Sequence, residues 1–342
     1  MSAAVVTGAG HAVPATLDQD AMWEGFFAQH YADVRAARRI FAGSGVRTRH
    51  AVANPIDEDL SGWSTGARMQ RFISEALPLG KQAVADALDS AGLAPGDVGL
   101  FAVATCTGYA TPGLDIRLAS DLGMPAGLQR LGIGHMGCYA ALPGLAAVSD
   151  FVTARSRPAV LLCCELTSLH VQPAQRDLDQ VVSHALFSDA AAAVVVEPGA
   201  GRGRRLAGMV ARTDASTADH MTWDVTDLGF RMGLSPRVPD VLSRHVGDVV
   251  AELLTEAGLR VEDVAGWAVH PGGPRILDVV RDELGLTEEQ MSASRRTLAE
   301  HGNCSSATVL LVLEELRDVD GPVVMMAFGP GLTLYAALLL PA

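Results

Sequence analysis

Three residues combine reactive side chains with settings suited to acyl transfer. Cys138 lies in Gly134-His-Met-Gly-Cys-Tyr-Ala-Ala141, where an apolar run meets a glycine-rich turn and a small-residue helix begins. A helix N-terminus leaves N–H groups unpaired and carries partial positive charge, which favours a thiolate and lowers a cysteine pKa. A buried structural cysteine is the other reading of the same residues. His270 ends an apolar run and is followed by Pro271-Gly-Gly-Pro274, a rigid turn that would fix its ring. Asn303 opens Gly302-Asn-Cys-Ser-Ser-Ala307, either as a simple N-cap or as an amide donor to a developing oxyanion. A thiolate near a histidine, with such a donor, is the set that forming and breaking a thioester requires.

An internal repeat supplies the elements that could position them. Val84–Val103 lies over Val250–Val269 without a gap, and ten of the twenty paired residues are identical. Each copy reads as a helix stopped at Ala-Gly, a short loop and a buried strand. The same offset carries Cys138 onto Cys304, beside Asn303, and carries Val103 onto Val269, just before His270. The chain therefore reads as a duplicated α/β unit, with halves at 1–200 and 201–342 and a turn-rich link at Pro198–Arg205. Packed about a pseudo-twofold, such halves would bring Cys138, His270 and Asn303 to one centre. Residues 3–8, 158–165 and 190–197 read as buried strands, and 322–340 as two strands joined by Gly-Pro-Gly. Residues 213–240 have no clean periodicity and are expected to run over the surface or the site.

Composition narrows the function class. The 342 residues carry 26 basic and 39 acidic side chains, a net charge of −13, which disfavours non-specific nucleic-acid binding. Five cysteines (Cys106, Cys138, Cys163, Cys164 and Cys304) show neither a disulfide framework nor a metal-ligand spacing. The N-terminal residues lack the pattern of a secretory signal, and no uninterrupted apolar stretch is long enough to span a bilayer. A cytoplasmic protein is expected. Arg38–Arg49 is a basic, glycine-broken stretch, open to two readings: a solvated loop or a phosphate-holding patch.

Taken in order, Gly137-Cys138, Leu186-Phe-Ser-Asp-Ala190, His270-Pro-Gly-Gly-Pro274, Gly302-Asn-Cys-Ser-Ser-Ala307 and Phe328-Gly-Pro-Gly-Leu-Thr333 resemble the type III polyketide synthases of the chalcone/stilbene synthase superfamily. The likeness spans nearly the whole chain. It implies a thiolase-type αβαβα fold and a homodimer. It also implies acyl-CoA and malonyl-CoA as substrates, with neither a metal nor a cofactor beyond these thioesters.

The resemblance also distributes roles. Cys138 would hold the starter acyl group, while His270 and Asn303 would polarise the malonyl thioester for decarboxylation. Phe187 and Phe230 match the gatekeepers between the coenzyme A tunnel and the cavity. Cys106, Thr107, Thr167 and His170 would line that cavity, and Thr111 would lie on the loop reaching into a partner subunit. Arg38, Arg39, Gly272, Gly273 and Arg275 fall where coenzyme A is held. The wording around Cys106–Asp115 and Glu165–Pro173 is closer to bacterial alkylpyrone and alkylresorcinol synthases, implying an aliphatic starter and a pyrone or resorcinol-type product. The alternatives are a ketoacyl-carrier-protein synthase III making one condensation, and a catalytically silent thiolase-fold partner in a biosynthetic complex. Tyr139 and Pro143, next to the nucleophile, have no role on this reading, and an interior proline there would cost a helix hydrogen bond.

Overall fold

The computed structural model describes residues 3–174, 176–199 and 201–342; Met1, Ser2, Gln175 and Ala200, the last inside the expected link, lie outside the described residues. The strands are β1 (Ala4–Ala12), β2 (Thr16–Asp18), β3 (Thr48–His50), β4 (Leu100–Thr105), β5 (Gln129–Gly134), β6 (Ala159–Leu166) and β7 (Asp189–Pro198). They continue as β8 (Arg204–Thr213), β9 (Met221–Thr226), β10 (Gly229–Leu234), β11 (Gly266–Val269), β12 (Val323–Gly329) and β13 (Thr333–Pro341). Nine of them form one sheet in the order β11-β12-β13-β8-β1-β7-β6-β4-β5. Read outward from the central β1–β8 pair, β7-β6-β4 on one side is matched by β13-β12-β11 on the other. The pairing senses match as well: β4–β6 and β11–β12 are parallel, and the pairs inside them are antiparallel.

The repeat extends to single hydrogen bonds. Leu93 N–H donates to the Leu88 carbonyl at 3.0 Å after Gly92, and Leu259 N–H to the Leu254 carbonyl at 2.9 Å after Gly258. Both glycines have a positive φ, 74° and 70°, which ends the helix and lets the chain turn into the strand. In the next turn Ala94 N–H donates to Asp97 and Arg260 N–H to Asp263.

Strand side chains alternate between two cores. On β6, Leu161 and Cys163 face a central layer, while Val160, Leu162 and Cys164 face the outer helix Thr65–Ala91. On β12, Val323, Met325 and Ala327 face the same central layer, while Val324, Met326 and Phe328 face the outer helices Val238–Glu256 and Pro274–Leu284. The central layer holds the helices Ala141–Arg155 and Thr308–Glu315. The layers are thus helix, half-sheet, helix pair, half-sheet, helix: the thiolase-type αβαβα arrangement. Each fully buried Val or Leu in it contributes about 1.5–3 kcal/mol relative to exposure. Strands buried on both faces need the continuous apolar runs seen at 159–164 and 323–329.

Three local expectations are corrected. β1 runs to Ala12, beyond the strand expected at residues 3–8. The segment Gly137–Arg155 is, by length and composition, apolar enough to cross a membrane, although no such stretch was expected; it is the central-layer core helix, with 56% of its length buried. Pro143 falls in the first turn of the helix that starts at Ala141, where its missing N–H has no intrahelical partner to lose.

Candidate active site

The turn that carries Cys138 is built by close approach. Cys138 is the second residue of a 3-10 turn, Gly137–Tyr139, that leads into the central helix at Ala141. Gly137 has φ 69°, and a Cβ there would come within 2.7 Å of Pro330, so only glycine fits. The ring of Tyr139 stacks on Tyr335 with centroids 5.4 Å apart, and its edge occupies the space a side chain at position 329 would need. Tyr139 therefore packs the turn against β12 and β13. The pseudo-equivalent turn, Ser305–Ala307, follows Cys304 and packs directly on that of Cys138.

Asn303 comes to Cys138 through this second turn. Gly302 has φ 69°, and a Cβ there would lie 2.9 Å from Ser188 and 3.0 Å from the Leu186 carbonyl. Asn303 Oδ1 accepts from Ser305 N–H at 2.9 Å, which orients the amide. His270 follows β11, and its N–H donates to the Met326 carbonyl of β12 at 2.8 Å. β12 ends at Gly329, whose Cα faces the Cys138 N–H. His270 is 1% exposed, and among the described residues neither ring nitrogen has a hydrogen-bond partner.

The acid–base state differs from the expectation of a lowered cysteine pKa. Burial pushes the Cys138 thiol up to about 12; Ser305 pulls it down, Glu165 pushes it up, and Asn303 also pulls it down. Burial alone holds His270 down at about 3. Desolvation of the charged forms outweighs the helix-end field, so thiol and imidazole are both neutral at rest.

Two chambers meet at a shared wall. The chamber at Cys138, about 340 Å³, is lined by Cys106, Thr107, Thr167, Phe187, Trp223, Met232 and Ser305 among others. A second, about 510 Å³, lies beyond Phe187, Trp223, Met232 and Thr167 and includes His170, Phe230, His50, His184, Phe27 and Met22. Phe230 faces this second chamber, its ring stacked on His170 at 4.5 Å, whereas Met232, two residues along β10, faces both. Trp223 Nε1 donates to the Cys106 carbonyl at 2.8 Å, fixing the β9–β10 hairpin over the site.

Beneath Cys138 lies Glu165, which is fully buried. It accepts from Cys106 N–H at 3.0 Å, Thr107 Oγ1 at 2.8 Å and Ser306 Oγ at 2.6 Å. Burial raises its pKa against these donors. Cys106 Sγ sits 3.4 Å from Ser305 Oγ and 3.5 Å from the carboxylate, so a polar chain runs from Ser305 to a buried acid.

The remaining expected residues lie elsewhere. Thr111 is exposed and lines neither chamber. Arg38 and Arg39 are exposed on the helix Ala37–Ala42, with Arg38 paired to Asp20 at 2.9 Å, and Arg275 is exposed on the helix that begins at Pro274. Gly272 closes a tight turn on His270, donating its N–H to the His270 carbonyl at 3.0 Å; Gly273 caps the following helix. Ser305, Trp223, Met232 and Arg49 line the chambers without having been singled out for the site. Ser305 lies in the Gly302–Ala307 motif, Trp223 and Met232 in the 213–240 stretch expected over the surface or the site, and Arg49 in the basic stretch read as a solvated loop or a phosphate-holding patch.

With this geometry in view, the similarities to known proteins are informative. Residues 1–201 match the family described as "Chalcone and stilbene synthases, N-terminal domain", and residues 210–341 its C-terminal domain. The chain is 38% identical over 322 residues to the 1,3,6,8-tetrahydroxynaphthalene synthase of Streptomyces peucetius subsp. caesius, covering 90% of this chain and 84% of that one. It is 31% identical over 326 residues to the alpha-pyrone synthesis polyketide synthase-like Pks18 of Mycobacterium tuberculosis, covering 88% and 81%. The solved 1,3,6,8-tetrahydroxynaphthalene synthase of Streptomyces coelicolor A3(2) superposes with TM-score 0.93 at 30% identity, over 98% of this chain and 99% of that one. Fold and site define a thiolase-type condensing enzyme of the acyltransferase class. The chain belongs to the chalcone and stilbene synthase family and is a type III polyketide synthase, acting on acyl-CoA and malonyl-CoA. This family needs no cofactor beyond its coenzyme A thioesters.

Proposed function

We propose that this synthase extends an aliphatic acyl starter held on Cys138 with malonyl units and releases a pyrone or resorcinol-type product. In the first step the Cys138 thiol gives its proton to His270, and the sulfur attacks the starter thioester carbonyl. A new thioester forms, the C–S bond to coenzyme A breaks, and coenzyme A leaves as its sulfur takes the proton back from His270. In the second step the malonyl-CoA carboxylate departs as CO₂, and its electron pair becomes an enolate whose oxygen accepts hydrogen bonds from Asn303 and His270. The enolate carbon attacks the Cys138 thioester, and the sulfur leaves as a thiolate ready for the next transfer. Donors aimed at an oxygen that gains charge act most strongly where water is excluded. The observation that carries this reading is His270: a fully enclosed ring at the end of β11 with no hydrogen-bond partner on either nitrogen among the described residues. Under this proposal residues 1–200 supply Cys138 and Phe187, and residues 201–342 supply His270 and Asn303.

The apolar residues of the second chamber, Met22, Phe27, Ala53 and Pro55, support an aliphatic starter whose tail enters when the Phe187–Trp223–Met232 wall gives way. A second reading, favoured by the 38% identity to a tetrahydroxynaphthalene synthase, is a naphthalene polyol assembled from malonyl units alone. Product analysis separates the two. Malonyl-CoA alone yields no aromatic product on the first reading and a naphthalene polyol on the second. Adding fatty acyl-CoA esters yields products that carry the acyl mass only on the first. A single extension with a strict need for carrier protein would point instead to a ketoacyl-synthase activity.

A homodimer is part of the proposal. β5 is the edge strand, exposed along most of its length, with Leu131 36% and the neighbouring Ile116 42% and Tyr109 66% accessible. An open edge flanked by apolar side chains favours pairing, and Thr111 lies on the adjacent loop. Light scattering should return twice the chain mass. A cytoplasmic location, where acyl-CoA and malonyl-CoA are made, completes the proposal.

A further inference from the structure

Arg49 comes from the basic stretch that resemblance assigns to phosphate binding, yet it is 4% exposed and all its hydrogen bonds end on amide oxygens. Nη1 donates to the carbonyls of His184 at 2.6 Å and Phe187 at 3.1 Å, and Nη2 donates to that of Ala185 at 3.1 Å. Nε donates to Gln19 Oε1 at 2.9 Å, and Gln19 Nε2 itself donates to the Ala185 carbonyl at 2.9 Å. These carbonyls are the C-terminus of the helix Leu178–Leu186, the negative end of its dipole, where a cation is favoured. The next residue on β3 extends the grip: His50 N–H donates to Ser188 Oγ at 2.8 Å. From the other side, Asn303 N–H donates to the Leu186 carbonyl at 2.8 Å and Ser188 N–H to the Asn303 carbonyl at 3.0 Å. The segment Leu186–Ser188 is therefore clasped between β3 and the backbone of Asn303.

We infer that Arg49 is a positioning residue: its guanidinium sets the Leu186–Ser188 segment, and through it the placement of the Phe187 ring and the Asn303 amide for malonyl decarboxylation. The inference rests on the decarboxylating role proposed above for those two residues. It separates Arg49 from the exposed arginines of the same stretch, because a guanidinium already spent on four amide oxygens has no face left for a phosphate. Burial lowers its pKa only to about 10, so it stays charged at neutral pH. Lysine cannot replace it: one ammonium cannot reach carbonyls that a planar fork spans.

The test divides the reaction into halves. In Arg49→Lys and Arg49→Gln, kcat for CO₂ release from malonyl-CoA should fall about tenfold or more, with KM and the rate of Cys138 acylation by acyl-CoA changing less than about threefold. Lysine should not rescue glutamine. A rise in KM with kcat unchanged would make Arg49 a coenzyme A ligand and overturn the inference. So would unchanged decarboxylation in a folded variant. Should both variants fail to fold, Gln19→Ala, which loosens the same clasp, should show the same kcat loss in weaker form, and an unchanged kcat there overturns the inference equally. Val249→Ala, in the outer core of the other half, is the control for lost stability and should leave the ratio of the two half-reactions unaltered. Asn303→Ala separates the two levels: intact decarboxylation in that variant refutes the underlying role of Asn303, whereas loss there with none in the Arg49 variants refutes only the positioning.

Discussion

Phe187 and Asn303 are joined by an isolated parallel β-bridge that ties the wall between the two chambers to the amide beside Cys138. Contributed by different halves of the chain, they are held as one unit by backbone hydrogen bonds. Gly302 permits this approach, since any side chain there would collide with Ser188 and the Leu186 carbonyl.

That coupling predicts the behaviour of the amide. Asn303→Ala should lower kcat for malonyl-CoA decarboxylation by about 100-fold, the cost of removing one donor from an oxyanion site. Acylation of Cys138 should continue in the same variant, so acyl-enzyme accumulates without product. Equal loss of both half-reactions would show that Asn303 serves the turn and not the enolate.

His270 should govern how readily Cys138 ionises. Burial holds the thiol up at about 12 in the intact site, so its ionisation needs a proton acceptor, the part proposed for His270. In His270→Ala, alkylation of Cys138 by iodoacetamide at pH 7–8 should slow about tenfold or more. Alkylation at the wild-type rate would separate the two residues. Cys163, Cys164 and Cys304 are buried with raised pKa values and should stay unlabelled in the native protein.

The wall residue Trp223 should control chain length. Trp223→Ala would open the Cys138 chamber to the larger one behind it, and longer acyl-CoA starters should gain kcat/KM relative to short ones. Because the indole is only half-buried, the loss of stability should fall below the roughly 3–5 kcal/mol of a fully buried tryptophan. An unchanged starter profile would place the acyl tail elsewhere.

Buried histidines predict the pH dependence of stability. Burial holds His50 and His170 down at about 4, and His184 and His270 at about 3, against an ordinary value of 6.5. Unfolded, they take up protons as pH falls below 6.5; folded, they do not, so the stability they contribute above 6.5 is lost as pH drops toward 4. Asp189 runs the other way, its carboxyl raised to about 6 by burial, so it favours the fold at low pH. Glu165, also raised by burial, acts in the same direction as Asp189; these four histidines oppose the two carboxyls, and Tm should fall by several degrees between pH 7 and pH 5. An equal or higher Tm at pH 5 would mean these imidazoles can be protonated in the fold.

Much of this was legible in the sequence, for physical reasons. The helix stops at Gly92 and Gly258 and the turns held by Asp97 and Asp263 are local hydrogen-bond patterns, so the repeat appears in the residues that make them. Continuous apolar runs at β6 and β12 follow from burial on both faces. The β9–β10 hairpin was not legible, because its inward residues Trp223 and Met232 line a cavity and are spaced within a half-exposed ribbon. Arg47 and Arg49 look alike in the chain, yet one pairs with Glu300 at the surface and the other caps a buried helix end. That distinction comes from tertiary contacts alone. The same holds for the acidity of Cys138: the local turn favours a thiolate, and the surrounding fold opposes it.

The most direct measurement is the intact mass of the protein after exposure to a fatty acyl-CoA, with coenzyme A release and condensation followed in parallel. The wild-type chain should gain one acyl mass that maps to Cys138 and should then turn over with malonyl-CoA. Cys138→Ala should gain no mass and make no extended product. Extended product from Cys138→Ala, or an acyl group mapping to Cys106 in the wild-type chain, would contradict Cys138 as the site of the thioester.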